Sequence, residues 1–172
     1  MIDDSAKITN ANGQTYTAST APVIINPGAA GYGAQENQKA SSGNAAYGYI
    51  NVACGNRGKQ STATDENGEE YYTGDAPLCL VDQKNAIRFV KYNIILGNLP
   101  GNTEYFVSTG GSGGGAHAAM VAATSDNSDY FPYEVEAGAV GIYQNEDGTY
   151  SGTIGSEDTE ISDGLCRWLD MV

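Results

Sequence analysis

The chain has little of several things on which binding sites depend. Its 172 residues include one histidine, three cysteines and only eight lysines and arginines, against 21 aspartates and glutamates. The formal net charge of −13 disfavours nucleic acid and anionic membrane surfaces as partners, because both repel an acidic protein. With a single histidine and no cysteine spacing typical of metal ligands, we expect no metal site.

Long apolar segments are missing as well. No run approaches the roughly 18 residues of a membrane span, so we expect no membrane association. The first residues, Met-Ile-Asp-Asp-Ser, lack the basic flank and apolar stretch of a signal peptide. A cytoplasmic location is therefore favoured unless the N-terminus is truncated. Cys54, Cys79 and Cys166 are expected to be free, buried thiols, with pairing of two of them as the alternative.

What the sequence does contain is an alternation of apolar segments and turns. Hydrophobic residues make up 40% of the chain and glycine contributes 23 residues, which is typical of a folded domain with many loops. We predict strands at 21–26, 46–53, 105–108 and 137–143, a small-residue loop at 27–33, and helices at 75–93 and after residue 112. This order predicts a doubly wound, mostly parallel α/β sheet in which the strand at 21–26 is covered on both faces.

The helix predicted from residue 75 has the clearest periodicity. Leu80, Ile87 and Val90 follow at helical spacing and form one apolar stripe. Asp75 is expected to cap this helix, with Pro77 in its first turn.

The segment Val-Ser-Thr-Gly-Gly-Ser-Gly-Gly-Gly-Ala at 107–116 carries the strongest motif. It predicts a strand, a glycine-packed turn with Ser112 at its apex, and a helix. Gly110-x-Ser112-x-Gly114 is the nucleophile-elbow pattern of α/β-hydrolases. The glycines have a steric reason, because a side chain two residues before or after the serine would collide with the neighbouring strand or helix. Ser112 is therefore the candidate nucleophile.

Other segments extend this likeness. Together with the serine turn, the stretches 23–28, 48–58 and 76–89 follow in an order that resembles α/β-hydrolase-fold serine esterases. Within them, the chain is most similar to the bacterial tannase and feruloyl-esterase-like branch. The resemblance implies a hydrolase domain present in part, with only its central strands and helices. It also implies three regions: a polar N-terminal segment (1–20), the core with the elbow (21–143), and the start of an insertion or lid (144–172).

The resemblance implies a chemistry as well. Ser112 would be acylated by a small-molecule phenolic ester, such as a galloyl or feruloyl ester. The backbone N–H of Gly113 and one from the loop 29–31, at Ala30 or Gly31, would bind the oxyanion. No cofactor is implied. The triad histidine and acid would come from outside this chain, and because neighbouring strands are missing, we expect it to pair with a complementary segment or a second copy.

Two side chains that could join such a site are expected to be structural. His117 lies five residues after Ser112 on the predicted helix, a step that rises ~7.5 Å and turns away from the serine. We therefore expect a packed or surface histidine and not the catalytic base. Arg57 follows a predicted strand and could face the site, but pairing with a surface carboxylate is favoured.

Two other functions stay open. The chain could be a non-catalytic hydrolase-like fragment, which the missing histidine favours. Gly111-x-Gly113-x-x-Ala116 also fits the turn of a dinucleotide-binding domain. Such a site needs an acidic residue at the end of the next strand, whereas Asp126 and Asp129 lie in a predicted loop.

Overall fold

A computed structural model describes residues 2–36 and 38–152. The strands in these ranges are β1 (Ile8–Thr9), β2 (Thr15–Tyr16), β3 (Val23–Pro27), β4 (Ile50–Cys54), β5 (Thr62–Thr64), β6 (Glu70–Tyr72), β7 (Phe106–Ser108), β8 (Ile142–Gln144) and β9 (Tyr150–Gly152). The helices are α1 (Leu78–Ile95), α2 (Gly113–Ala123) and α3 (Phe131–Glu136), with short 3₁₀ turns at Ala30–Tyr32, Ala45–Tyr47 and Ser128–Tyr130. None of the described helices is both long and apolar enough to cross a membrane.

β3 is the central strand of a parallel sheet in the order β4–β3–β7. Val23 pairs with Ile50 on one side and with Phe106 on the other. Because all three strands run in the same direction, their carboxyl ends meet at one edge of the sheet, and the loops that follow them lie close together. The predicted α/β class and parallel pairing are confirmed.

The core lies on one face of this sheet. Val23, Ile25 and Phe106 have at most 2% of their surface exposed. They pack against Ile87 of α1 and Val121 of α2 in one apolar cluster. Both helices therefore cover the same face.

The opposite face is less covered within the described residues. Ile24 is half-buried and Asn26 is exposed, so the prediction that this strand is covered on both faces is wrong for this part of the chain. An unbroken apolar run does not reveal such a difference, because both faces of the strand start with apolar side chains.

α1 is an 18-residue helix whose apolar stripe faces the sheet. Leu80, Ile87 and Val90 are buried, as their spacing predicts. The start of the helix differs from the prediction. Pro77 stands before the first helical residue and no side chain caps the helix, so Asp75 is not its cap.

Buried charged side chains connect α1 to segments that follow the last parallel strand in the chain, namely α3 and the end of α2. Arg88 Nε lies 2.6 Å from Glu134 Oε2 of α3, with side chains 3% and 0% exposed. Lys84 Nζ donates to the carbonyl oxygen of Thr124, which follows α2, at 2.8 Å. The first contact holds α3 against α1, and the second holds the end of α2 against α1. The sequence did not predict α3, because its six residues are too few to show a helical period.

Two predicted strands differ from those in the structure. Residues 45–47 form a 3₁₀ turn, so β4 begins at Ile50 and not at residue 46. The strand predicted at 137–143 is mostly a turn, and β8 pairs antiparallel with β9 outside the parallel sheet. Gly138 and Gly141 adopt φ values of +81° and +77°, which an extended strand does not tolerate.

Replacement of a buried residue on α1 should destabilise the protein far more than replacement of an exposed one on the same helix. We expect Ile87→Ala, at a position 1% exposed, to lower the free energy of unfolding by about 2–5 kcal/mol, because it leaves a cavity. Phe89→Ala, at a position 55% exposed, is the matched control and should change it by about 0.5 kcal/mol. Urea unfolding monitored by circular dichroism measures both, and equal effects would contradict the described packing.

Candidate active site

The turn between β7 and α2 presents Ser112 to solvent. Ser112 is exposed, with φ +53° and ψ −127°. Positive φ strains a residue that has a Cβ. Before the turn, the Thr109 N–H donates to the carbonyl of Ile25 at 3.0 Å; after it, the carbonyl of Ser112 accepts from Gly115 and Ala116 at 3.1 and 3.2 Å. The strained residue is thus fixed on both sides, by the central strand and by the first turn of α2.

The backbone is too closely packed here for side chains at two of the glycines. A Cβ on Gly110 would collide with the carbonyl group of Gly114. A Cβ on Gly114 would lie 2.7 Å from the carbonyl oxygen of Pro27, whereas Gly111 has open space beside it. Contact of the turn with α2 and with the end of β3 is therefore the physical reason for glycine at 110 and 114.

The loop after β3 lies directly against the serine turn. A Cβ on Gly113 would collide with the carbonyl oxygen of Ala29 and would lie 3.3 Å from the nitrogen of Gly31. The backbones of Gly113 and Gly31 are therefore neighbours, although they are 82 positions apart in the chain.

Two N–H groups of these neighbouring segments make no backbone hydrogen bond in the described residues. Neither the N–H of Gly113 nor that of Gly31 has a backbone partner within the described chain. The N–H of Ala30, by contrast, donates to the carbonyl of Gly28 at 2.8 Å. Of the residues predicted from sequence, the structure thus brings Ser112, Gly113 and Gly31 together, while the Ala30 amide is directed to its own loop.

The loop has an unusual conformation that another segment holds in place. Gly31 and Tyr32 adopt φ values of +63° and +59°. The carbonyl of Tyr32 accepts the N–H of Lys59 at 2.9 Å. The segment containing Lys59 is fixed in turn by Arg57, whose Nη2 lies 2.7 Å from Asp82 Oδ1 of α1. Arg57 pairs with a carboxylate, as favoured from the sequence, but Asp82 is 19% exposed and so is mostly buried.

His117 is packed between α1 and the same loop. It is 2% exposed, and its Nδ1 lies 2.7 Å from Nε2 of Gln83. Its ring also contacts Tyr32, with 5.5 Å between ring centroids and 47° between ring planes. Burial lowers the pKa of His117 below its ordinary value. Of the two positions expected for His117, packed or at the surface, the structure shows the packed one.

Sequence reasoning missed the side chains that support the loop. Gln83, Asp82 and Tyr32 belong to no motif. One signal was present, since Gln83 stands three residues after Leu80 and four before Ile87, at a position of the apolar stripe. A polar residue at such a position indicates a buried polar contact.

The described residues contain two free thiols and no cluster of side chains suited to hold a metal ion. Cys54 is buried and Cys79 half-buried, and both are free. Burial raises the pKa of Cys54 to about 11, so its thiol stays protonated near neutral pH. Cys166 lies outside the described residues. No group of three or more histidine, cysteine, aspartate or glutamate side chains within 2–36 and 38–152 could hold a metal ion.

A dinucleotide site is not favoured by the geometry. Asp126 lies in a turn with φ +53°, and Asp129 lies in a short 3₁₀ turn. Neither residue ends a strand of the parallel sheet, where an acidic side chain would meet the ribose.

A parallel sheet whose last strand leads through a tight serine turn into a helix is compatible with the α/β-hydrolase class. Comparison with solved structures agrees. The tannase of Fusobacterium nucleatum is 30% identical with a TM-score of 0.59, over 72% of this chain and 27% of that one. The native tannin acyl hydrolase from Lactobacillus plantarum is 32% identical with a TM-score of 0.58, over 76% of this chain and 29% of that one.

The resemblance to tannases predicted from the sequence is confirmed by these neighbours. A further one, a tannin acyl hydrolase in complex with 3,4-dihydroxybenzoate, is 32% identical with a TM-score of 0.57, over 76% of this chain and 29% of that one. The chain thus spans less than a third of the length of the tannases that it matches. No protein-family model and no curated protein matches it.

The strain at Ser112 gives a stability test that needs no activity. We expect Ser112→Gly to be more stable to unfolding than Ser112→Ala by about 1 kcal/mol, because glycine adopts positive φ without strain whereas alanine keeps the Cβ. Urea unfolding of the two variants measures the difference. A more stable alanine variant would contradict the described backbone.

Burial of His117 gives a pH dependence of known sign. The unfolded chain takes up a proton near pH 6.5, whereas the folded protein resists protonation to a lower pH. Stability should therefore fall as the pH is lowered below about 6.5. The fall should be smaller in His117→Phe. The difference between the two proteins gives the contribution of the histidine to the pH dependence of stability, separate from that of the carboxylates. Because the chain has one histidine, NMR titration reads its pKa directly, and a value above the ordinary one would contradict this environment.

Proposed function

We propose that Ser112 is the nucleophile of a tannase-like serine ester hydrolase, to which this chain contributes the nucleophile and the oxyanion-binding groups. One observation carries the proposal. An exposed serine in a strained strand-to-helix turn lies in the same turn as Gly113, whose backbone neighbours Gly31, and neither of these two amides donates to a backbone partner in the described residues. Nucleophile-elbow serines have this setting.

The reaction would proceed through an acyl-enzyme. Ser112 Oγ attacks the ester carbonyl carbon while its proton passes to a base, and the carbonyl oxygen becomes an oxyanion. The N–H groups of Gly113 and Gly31 donate to that oxygen. The positive end of α2 points at the same region. The C–O bond to the alcohol then breaks, the alcohol leaves with a proton, and water hydrolyses the serine ester.

Removal of one such amide donor commonly costs about 3 kcal/mol of transition-state stabilisation. The arrangement of Gly113 and Gly31 is therefore an important part of the proposal. Gly31 replaces Ala30 as the second donor, because the Ala30 N–H is already bonded to Gly28.

The base in this proposal is not His117. Its Nδ1 is engaged by Gln83, and its buried ring packs against Tyr32. His117 is the one histidine in the chain, so the histidine and the acid of the triad would come from residues outside this sequence.

The proposed substrate is a small phenolic ester. Tannase neighbours support an ester hydrolase of this kind, and one neighbour was solved with 3,4-dihydroxybenzoate, a phenolic acid. Esters of galloyl and feruloyl type are therefore the first substrates to test, with no cofactor.

The sheet supports the proposal that a further segment or a second copy completes the domain. Within the described residues, β4 and β7 are each paired on one side only, and the face of the sheet that carries Asn26 is incompletely covered. Such edges pair readily with another strand. On this proposal the sheet is the central part of a doubly wound α/β-hydrolase core spanning 21–143. The predicted insertion or lid, 144–172, lies mostly outside the described residues.

A fluorophosphonate probe tests the nucleophile. We expect Ser112 to be labelled in the protein produced with the coding sequence on either side of this chain, and more slowly in the chain alone, which lacks a base. Ser112→Ala should abolish labelling at both lengths, whereas Ser41→Ala, at an exposed serine elsewhere, should not change it.

Hydrolysis of methyl gallate and methyl ferulate by the longer protein tests the substrate class. A folded longer protein that the probe does not label would contradict the proposal and favour a non-catalytic hydrolase-like domain. Labelling that persists in Ser112→Ala would place the reactive group elsewhere.

A further inference from the structure

We propose that His117 is a positioning residue: its buried ring, held by Gln83, supports Tyr32 and thereby fixes the Gly31 amide beside Gly113. The inference rests on the proposed function for its catalytic consequence. Its structural part, that the ring stabilises the loop 29–33, stands independently of any activity.

The link between α1 and α2 is polar where an apolar one would be simpler. His117 and Gln83 are each 2% exposed and lie 2.7 Å apart at Nδ1 and Nε2. Oε1 of Gln83 is buried with no hydrogen-bond partner. Such a group is unfavourable for stability, so the pair is a poor choice if its task is only to join two helices.

The pair does fix the ring of His117 in one orientation. A buried imidazole that is hydrogen-bonded at one nitrogen cannot rotate without breaking that bond. The ring is then a rigid surface on the side where Tyr32 packs, 5.5 Å away between centroids.

Tyr32 needs such support. It is not glycine, yet its φ is +59°, a conformation that persists only where the surroundings impose it. Its N–H donates to Ala29 at 3.0 Å and its carbonyl accepts from Lys59 at 2.9 Å. Tyr32 is 42% exposed, and its ring contacts the His117 ring and Lys59 Nζ, which lies 5.8 Å from the centroid of the Tyr32 ring.

Displacement of Tyr32 would move the amide that the reaction needs. Gly31 directly precedes Tyr32, and a Cβ on Gly113 would lie 3.0 Å from the Tyr32 nitrogen and 3.3 Å from the Gly31 nitrogen. Groups that stabilise a transition state must be held within about 0.5 Å of their productive position. His117 therefore acts through Tyr32 on the oxyanion donor and makes no contact with the reacting atoms.

Two double variants of the full chain separate the ring from the polar pair. Gln83→Leu with His117→Phe removes the buried polar groups and keeps an aromatic ring. Gln83→Leu with His117→Leu removes the buried polar groups and the aromatic ring as well. Amide hydrogen exchange is read at Tyr32, Gly33 and Lys59, whose N–H groups are all hydrogen-bonded to or within the loop, with Thr109 as the reference amide.

The ring-free variant should exchange about tenfold faster at the loop amides and equally fast at the reference amide. The ring-bearing variant should exchange at an intermediate rate, because it keeps the ring but loses the hydrogen bond that fixes its orientation. Equal protection in all three proteins would overturn the proposal, as would equal loss in both variants.

A single variant covers the case in which the double variants do not fold. Tyr32→Ala changes a partly exposed side chain and leaves the His117–Gln83 pair intact. We expect the same rise in exchange at Gly33, whose N–H donates to Ala30 within the loop, and unchanged exchange there would overturn the proposal. Lys59 is not read in this variant, because its Nζ contacts the Tyr32 ring directly.

The catalytic consequence is measured separately. The rate of fluorophosphonate labelling at Ser112, in the longer protein, should fall about tenfold in the ring-free variant and by less in the ring-bearing one. If the unchanged protein is never labelled, the proposed function fails, but the exchange data still decide whether His117 positions the loop.

Discussion

The close approach of two backbone segments is the constraint on which the rest of the site depends. Residues 110–114 turn so tightly against residues 27–31 that side chains cannot be accommodated at several positions. This contact holds Ser112, an exposed residue, in a strained conformation. The strained conformation persists because hydrogen bonds hold the turn in place, from Thr109 to Ile25 on one side and within α2 on the other.

α1 supplies the support for the second of these segments. Neighbouring residues on this helix act on the loop from two directions: Asp82 through Arg57 and the segment to Lys59, and Gln83 through His117. A helix that packs its apolar stripe on the sheet thus uses its polar residues to position a loop at the edge of the sheet. Packing and site geometry are therefore coupled through α1.

Local signals in the sequence were sufficient for the elements that carry strong patterns. The strand–turn–helix around Ser112, the parallel central strand and the apolar stripe of α1 each follow from glycine placement or periodicity within a short window. Features that depend on distant contacts were not predictable in this way. The uncovered face at Asn26 and the contact of His117 with Tyr32 are of this kind, because they depend on which segments cover the sheet and on residues far apart in the chain. The pairing of β8 with β9 is local, but strands of three residues are too short to show a period.

The central claim is that Ser112 faces the neighbouring amides of Gly113 and Gly31. A crystal structure of the protein with a phosphonate covalently bound to Ser112 tests it most directly, because the phosphoryl oxygen occupies the position of the oxyanion. The account predicts that this oxygen lies about 3 Å from both nitrogens, within hydrogen-bond distance. A phosphoryl oxygen directed to solvent, or to other donors, would contradict it.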